Sequence, residues 1–169
     1  YLSPVNDAPV VSGDVNFGSI NEDTSFTITA SDALETLLST ASDVDGDTLS
    51  IKGVELVKGQ GTLKDNGNGT YTFTPAKDFN GEVVGKFTID DGNGGTAEVN
   101  ANLTVKPVND APELTGTKAT LTDGKENVSY TFSVSDLLQG YTDVEGDTLS
   151  ISNVQTLGST GSISNNGNG

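Results

Sequence analysis

Apolar and polar positions alternate with a period of two in a series of short runs. Phe26, Ile28 and Ala30 fall on one side of a run whose other side carries Thr27 and Thr29. Leu49 and Ile51, Tyr71 and Phe73, and Phe87 and Ile89 repeat the pattern. The longest instance sets Val99, Ala101, Leu103 and Val105 against Glu98, Asn100, Asn102 and Thr104. Successive side chains of a strand point to opposite faces, so each run predicts a strand with one buried and one wet face. Asn66-Gly67-Asn68-Gly69 and Asp91-Gly92-Asn93-Gly94-Gly95 separate such runs and supply the positive φ of tight hairpins. Helical character is confined to residues 32–38, which fit one short turn. Phe26, Phe73, Phe87 and Phe132 take core-phase strand positions, leaving Phe79 and Tyr141 to loops. Strands at this spacing predict an all-β chain of antiparallel, Greek-key sandwiches.

The plural rests on an internal repeat. Val5-Asn6-Asp7-Ala8-Pro9 returns as Val108-Asn109-Asp110-Ala111-Pro112, and Phe26-Thr27-Ile28 as Tyr130-Thr131-Phe132. Asp43-Val44-Asp45-Gly46-Asp47 with Thr48 to Ile51 returns as Asp143-Val144-Glu145-Gly146-Asp147 with Thr148 to Ile151, and Asn66 to Gly69 as Asn166 to Gly169. Two tandem copies of one unit of about 100 residues is the economical reading, with repeat one over residues 1–106 and repeat two over 107–169. Repeat two is incomplete, for it carries no counterpart of residues 70–106 and so lacks roughly three strands. Three arrangements fit: an artificial cut, continuation into disorder, or a domain inserted at the hairpin tip with the remaining strands returning later. Polar Gly/Asn tips tolerate insertion best, which favours the last. Unless something supplies the strands, repeat two should be less ordered than repeat one.

Composition then removes whole classes of function. Cys, His, Met and Trp are absent, as is Arg. Thiol nucleophiles, Cys/His metal sites, disulfides and imidazole acid–base steps go with them. A net charge of −16 repels a polyanion, so nucleic acid is not an expected partner, and it favours a soluble monomer. No apolar run approaches the length of a membrane span, so no membrane insertion is expected, and no signal peptide opens the chain. The segment is expected to be an interior piece of something longer or a mature fragment.

The acidic residues are not scattered. Asn6/Asp7, Glu22/Asp23, Asp43/Asp45/Asp47, Asp78/Asn80, Asp90/Asp91, Asn109/Asp110, Glu126 and Asp143/Glu145/Asp147 all fall at the ends of predicted strands. The loops of a sandwich gather at its two poles, so these carboxylates converge there. Calcium is the hard cation that takes six to eight such oxygens, and it would relieve their mutual repulsion. Acidity that merely solubilises a surface has no reason to repeat as Asp-x-Asp/Glu-Gly-Asp in both copies. Two sharper calcium motifs fail. As an EF-hand, the loop from Asp43 has its Gly two places early and Val54 where the bidentate Glu belongs. The Gly-rich stretches are isolated and lack the tandem aspartates of a β-roll. Asp90 and Asp91 could serve as paired acid and base only if they shared a face, which neighbours on a strand do not. No enzyme is expected.

The motifs resemble those of the cadherin-like repeats found in large bacterial surface adhesins of the RTX type. Val-Asn-Asp-Ala-Pro at each start, Asn21-Glu22-Asp23-Thr24, Ser42 to Asp47, Gly69 to Pro75 with Phe79-Asn80-Gly81, and Asp90 to Gly94 carry the resemblance, which spans both copies. It implies an extracellular, cell-surface string of end-to-end sandwiches, stiffened by calcium at the junctions and partnered by neighbouring repeats and an inserted or terminal ligand-binding domain. Carried over residue by residue, Glu22, Asp78 and Asn80 would be ligands at the far pole of repeat one, with Asn109 and Asp110 from the linker and Asp143 and Glu145 from repeat two. At the near pole, Asn6, Asp7, Asp43, Asp45 and Asp91 would face a preceding repeat. Lys106 stands where the first linker aspartate belongs, and Glu145 replaces the Asp of the first copy, so fewer ions are implied. Asp47 and Asp147 are equally suited to organising their own turns. Pro107 and Pro112 make the linker short and extended. The alternative is a glycan- or peptide-binding module working through its loops, for which only Tyr141 and Phe79 offer a platform.

Overall fold

The computed structural model describes residues 1–29, 33–158 and 161–169, the side chains of Ala33 and Leu34 excepted. Ala30 and Asp32, assigned above to a strand and a helical turn, lie outside the described residues. The chain divides into two compact units, Tyr1–Val108 and Asn109–Gly169.

The first unit is a β-sandwich. Its larger sheet orders β2 (Val15–Asn21), β9 (Thr96–Lys106), β8 (Gly81–Asp90) and β5 (Ser50–Lys58). Its smaller sheet orders β3 (Phe26–Ile28), β7 (Tyr71–Pro75) and β6 (Gly61–Asp65). A third pair, β1 (Val10–Val11) with β4 (Ala41–Ser42), closes one end. The two sheets face each other through the rows that alternation predicts. Val83, Phe87 and Ile89 from β8 and Val99, Ala101, Leu103 and Val105 from β9 are buried, as are Tyr71 and Phe73 from β7. Tyr71 meets Phe87 edge-on, with ring centroids 5.4 Å apart. Both predicted hairpins form: residues 66–70 join β6 to β7, and 91–95 join β8 to β9.

Two details depart from the sequence reading. The sandwich is not wholly antiparallel, because β2 runs parallel to β9. After pairing with β4 at one end, the chain crosses to the larger sheet and travels the length of the sandwich in the same direction as the last strand. It takes the edge beside that strand, opposite the β5 edge. The helical stretch, α1 (Ala33–Ser39), is longer than one turn. Burial of Leu37, which is fully enclosed, holds it against the modest propensity of Thr36 and Ser39.

Among its described residues the second unit has no buried hydrophobic side chain. Its regular elements among the described residues are β10 (Glu113–Leu114), α2 (Val134–Leu137) and β11 (Tyr141–Thr142), β10 pairing with β11. Tyr141 is therefore a strand residue rather than a loop residue, and Phe132, predicted at a strand position, lies in no strand. α2 is held by a capping box in which Ser133 and Asp136 exchange hydrogen bonds, and these hold the Asp136 carboxyl below the usual range.

Candidate metal centre

At the near pole of the first unit the loop after β4 is built around one carboxylate. Asp43 Oδ1 accepts from the backbone N–H groups of Asp45 at 2.9 Å and Asp47 at 3.3 Å. Gly46 sits at φ +79°, the left-handed position that glycine fills without strain. The resulting tight turn brings one oxygen each from Asp43, Asp45 and Asp47 within 4.8 Å of one another. Unit charges that close repel by about 1 kcal/mol per pair in bulk water, and by about 3–4 kcal/mol at an effective dielectric near 20. Asp43 Oδ2 and Asp47 Oδ2 are shielded from solvent and have no hydrogen-bond partner. The turn is thus organised by Asp43, and the Asp47 carboxylate is left with an unsatisfied oxygen rather than capping its own loop.

The start of the repeat is stitched onto this pole. Asp7 donates its backbone N–H to Asp45 Oδ2 at 2.8 Å, and Asn6 Nδ2 donates to Asp91 Oδ2 at 2.8 Å. Asp91 is buried, and its Oδ1 accepts from the N–H groups of Asn93 and Gly95 at 2.7 and 2.9 Å. The Asn6 amide, followed by these backbone donors, holds the Asp91 carboxyl below the usual range against the opposing effect of burial. Gly95 is required here, since a Cβ would come within 2.2 Å of Asp91 Oδ2. Asn6, Asp7, Asp43, Asp45 and Asp91, which lie far apart in sequence, therefore form one connected set. Within it Asp91 is a clasp whose oxygens are both already engaged. A groove of about 500 Å3 beside the set is lined by Asp7, Ala8, Val10, Ser42, Asp43 and Val44, none of them aromatic.

The far pole holds the end of β2. Glu22 is only 2% exposed. Its Oε1 accepts from the Val108 N–H at 2.5 Å, while its Oε2 is buried with no hydrogen-bond partner. Asp23 and Asp78 both adopt left-handed backbone, at φ 59° and 57°, and each offers an oxygen within 4.8 Å of the other. Asp is among the non-glycine residues most often found in that region, and Lys77 Nζ, 3.6 Å from Asp78 Oδ2, already offsets part of the repulsion between the two like charges. Asp23 stood in the acidic set read from the sequence but not among the residues carried over as ligands. Its φ is the feature that marks it. Asn80 is exposed.

The second unit rebuilds the near-pole turn. Asp143 Oδ1 accepts from Glu145 N–H and Asp147 N–H, both at 3.0 Å, and Gly146 sits at φ +79°. Asp110 donates its backbone N–H to Glu145 Oε2 at 3.1 Å, as Asp7 does to Asp45. Oxygens of Asp143, Glu145 and Asp147 lie within 4.8 Å of one another, as do those of Asp110 and Glu145. Asn109 turns its amide onto the Asp110 carbonyl at 3.0 Å. As in the first unit, Asp143 organises the turn, not Asp147.

Away from the poles most ion pairs lie on one sheet face. On the outer face of the larger sheet Lys52 pairs with Asp90 at 3.0 Å, Lys58 with Glu82, and Lys86 with Glu55 and Glu98 at 3.0 and 3.5 Å. These pairs lower the Asp90 and Glu82 carboxyls and raise the Lys86 amine. Asp90 faces Lys52 while its neighbour Asp91 faces Asn6, so the two do not form an acid–base pair. The polar clusters are all hard oxygen donors, the set calcium takes up, and their buried unsatisfied oxygens are what a bound ion would satisfy.

Among solved structures, an endo-fucoidan hydrolase of glycoside hydrolase family 107 is 21% identical, with a TM-score of 0.42 over 87% of this chain and 21% of its own. A hypothetical protein from Saccharophagus degradans associated with carbohydrate metabolism is 16% identical, with a TM-score of 0.38 over 60% of this chain and 26% of its own. The PKD domain of the KIAA 1837 protein is also 16% identical, with a TM-score of 0.38 over 63% of this chain and 93% of that domain. The chain spans about a fifth of the hydrolase it resembles. No curated protein is significantly similar in sequence. The model of the cadherin-like domain matches twice, over residues 5–106 and 108–169. Domains of this kind are typically non-catalytic and extracellular and generally bind calcium. With both repeats matched, the chain belongs to the cadherin-like domain family.

Proposed function

We propose that this chain is a non-catalytic extender segment of a bacterial RTX-type cell-surface adhesin, in which calcium at the poles of the repeats stiffens the string and holds a ligand-binding domain away from the cell. The observation that carries the reading is a duplicated device. The same acidic turn is built at Asp43 and at Asp143, each tied to the linker-type segment before it through Asp7 or Asp110. Buried, unpartnered oxygens of Glu22, Asp43 and Asp47 support a cation as the missing partner. Metal binding by residues drawn from several loops couples to folding, so the ion would act as a removable brace. Affinity in the extracellular range, about 10⁻⁴–10⁻³ M, would keep the segment stiff outside the cell and slack where calcium is scarce.

The test is a thermal melt in excess EDTA followed by calcium to the millimolar range, with magnesium as control. A calcium-specific rise in Tm is the expected result. No rise, or an equal rise with magnesium, would reduce the clusters to surface charge. Asp110→Ala and Asp143→Ala should each weaken the calcium response of the second unit and leave the first unit folded.

A further inference from the structure

Asparagine followed two places later by serine or threonine is the acceptor pattern for transfer of a sugar to an amide nitrogen. The chain carries it at Asn68-Gly69-Thr70, Asn102-Leu103-Thr104 and Asn127-Val128-Ser129. So short a pattern arises readily by chance, and the fold treats the three very differently. Asn102 lies in β9, the strand between β2 and β8, and registers with Asn16 on one side and Val84 on the other. Its backbone could enter a transferase cleft only by breaking both ladders. Asn127 sits in an exposed turn at φ 59°, closed by the Val128 N–H on the Lys125 carbonyl. No hydrogen bond joins it to Ser129 among the described residues.

Asn68 stands exposed at the tip of the β6–β7 hairpin, with a glycine on either side. Asn66 closes the tip by donating its N–H to the Thr70 carbonyl at 3.0 Å. Thr70 then turns back on Asn68. Its N–H donates to Asn68 Oδ1 at 3.2 Å, and its hydroxyl donates to the same oxygen at 2.6 Å. A backbone N–H can only donate, so the amide oxygen must be the atom that meets it, and the orientation of the Asn68 amide is fixed. Nδ2 is left to donate to none of the described residues. Asn66 Nδ2 donates to the Thr70 and Thr72 hydroxyls, both at 2.9 Å, which aims the Thr70 proton at Asn68. The tip therefore holds one acceptor amide in a single orientation, with its nitrogen open to solvent.

We propose that Asn68 is a glycan-attachment site, taking a sugar at Nδ2 from a glycosyl diphosphate donor while the hairpin is folded. Nδ2 attacks the anomeric carbon, and the bond from that carbon to the phosphate oxygen breaks. The nucleoside- or lipid-linked diphosphate leaves with the electron pair, and one Nδ2 proton passes to a base of the transferase. An amide nitrogen is a weak nucleophile because its lone pair is shared with the oxygen. The two hydrogen bonds on Oδ1 stabilise the negative charge that oxygen takes up as the proton leaves. Gly69 places no side chain between Asn68 and Thr70, so the approach to Nδ2 is unobstructed from that side.

The test incubates the folded 169-residue chain with a soluble sequon-specific N-glucosyltransferase and UDP-glucose. A parallel reaction uses a membrane oligosaccharyltransferase and a lipid-linked oligosaccharide, and peptide mass mapping locates the sugar in each. Sugar should appear at Asn68 first, at Asn127 more slowly, and not at Asn102. Transfer in only one reaction identifies the donor as nucleotide-linked or lipid-linked. A free peptide of residues 98–106 should accept sugar at Asn102, because pairing in β9 is what shields it. Asn68→Gln should remove the sugar from position 68 without changing Tm. Asn66→Ala leaves the acceptor triplet intact but withdraws the support of the Thr70 hydroxyl, and should slow transfer about 2–10-fold, the worth of one hydrogen bond. No sugar at Asn68 in either reaction overturns the proposal, as does faster transfer to Asn102 in the folded chain. An unchanged rate in Asn66→Ala overturns the part given to the turn.

Discussion

The first and second units carry the same sequence motifs and reach different degrees of order. Formed in the second unit are the Asp143 turn and the capping box on α2, which need only near neighbours, and the two-residue β10–β11 pair, whose partners both lie within residues 113–142. What is missing needs a partner from elsewhere in the repeat. Tyr130-Thr131-Phe132 has as much strand propensity as Phe26-Thr27-Ile28, and it forms no strand. Propensity in a sheet is largely cross-strand packing and burial, so a strand without a neighbour has little to express. The acidic turn belongs to the other class. Because its geometry is set within five residues, it stands ready in both units, whatever the state of the core.

Paired substitutions at equivalent positions should expose that asymmetry. The largest difference is expected at the helix. Leu37→Ala should cost about 2–5 kcal/mol in urea unfolding of the first unit, whereas Leu137→Ala should leave its unfolding unchanged. Calcium comes next. At millimolar free ion and a Kd of about 10⁻⁴–10⁻³ M, one site contributes about 0.4–1.4 kcal/mol, a rise of about 2–11 °C in the Tm of the first unit. In the second unit the ion should shift only the amide resonances around Asp143, with no cooperative transition to move.

Acid should produce a smaller, one-sided effect. The Asp91 carboxyl titrates below its unfolded value, so its contribution is complete above about pH 3.9 and is lost as the pH falls through the lower folded value. The first unit should therefore lose Tm on acidification through this range, and Asn6→Ala should blunt the loss. The smallest difference lies on the wet face, where the Thr27 and Thr72 hydroxyls meet at 3.1 Å across β3 and β7. Thr27→Ala should cost about 0.2–1 kcal/mol, and Thr131→Ala nothing measurable.

Much of the first unit was legible because period two reports faces directly. The rows at Tyr71/Phe73, Phe87/Ile89 and Val99 to Val105 are buried as read. Alternation names a face but not a partner, which is why the parallel placement of β2 against β9 was invisible. For the same reason Phe132 was read as a strand residue. At the candidate site the acidic set was legible from its repetition, while the division of labour within it was not. Asp-x-Asp-Gly-Asp is nearly symmetric, and only the structure distinguishes Asp43, which builds the turn, from Asp47, whose oxygen is left over. Asp91 shows the reverse, since its engagement by Asn6 depends on a contact across 85 positions. Asp23 carries its signal in φ, which no residue type announces.

The lysine pairs on the larger sheet give the first unit an uneven electrical surface. Its flank is close to balanced, while the excess negative charge gathers at two ends separated by the ten residues of β8, roughly 30 Å. Against another sandwich of its kind, the first unit would meet less repulsion along this flank than at either acidic end. Changes in ionic strength should therefore alter how closely ends approach, with a reach set by a screening length of about 8 Å in physiological salt, and leave lateral packing almost untouched.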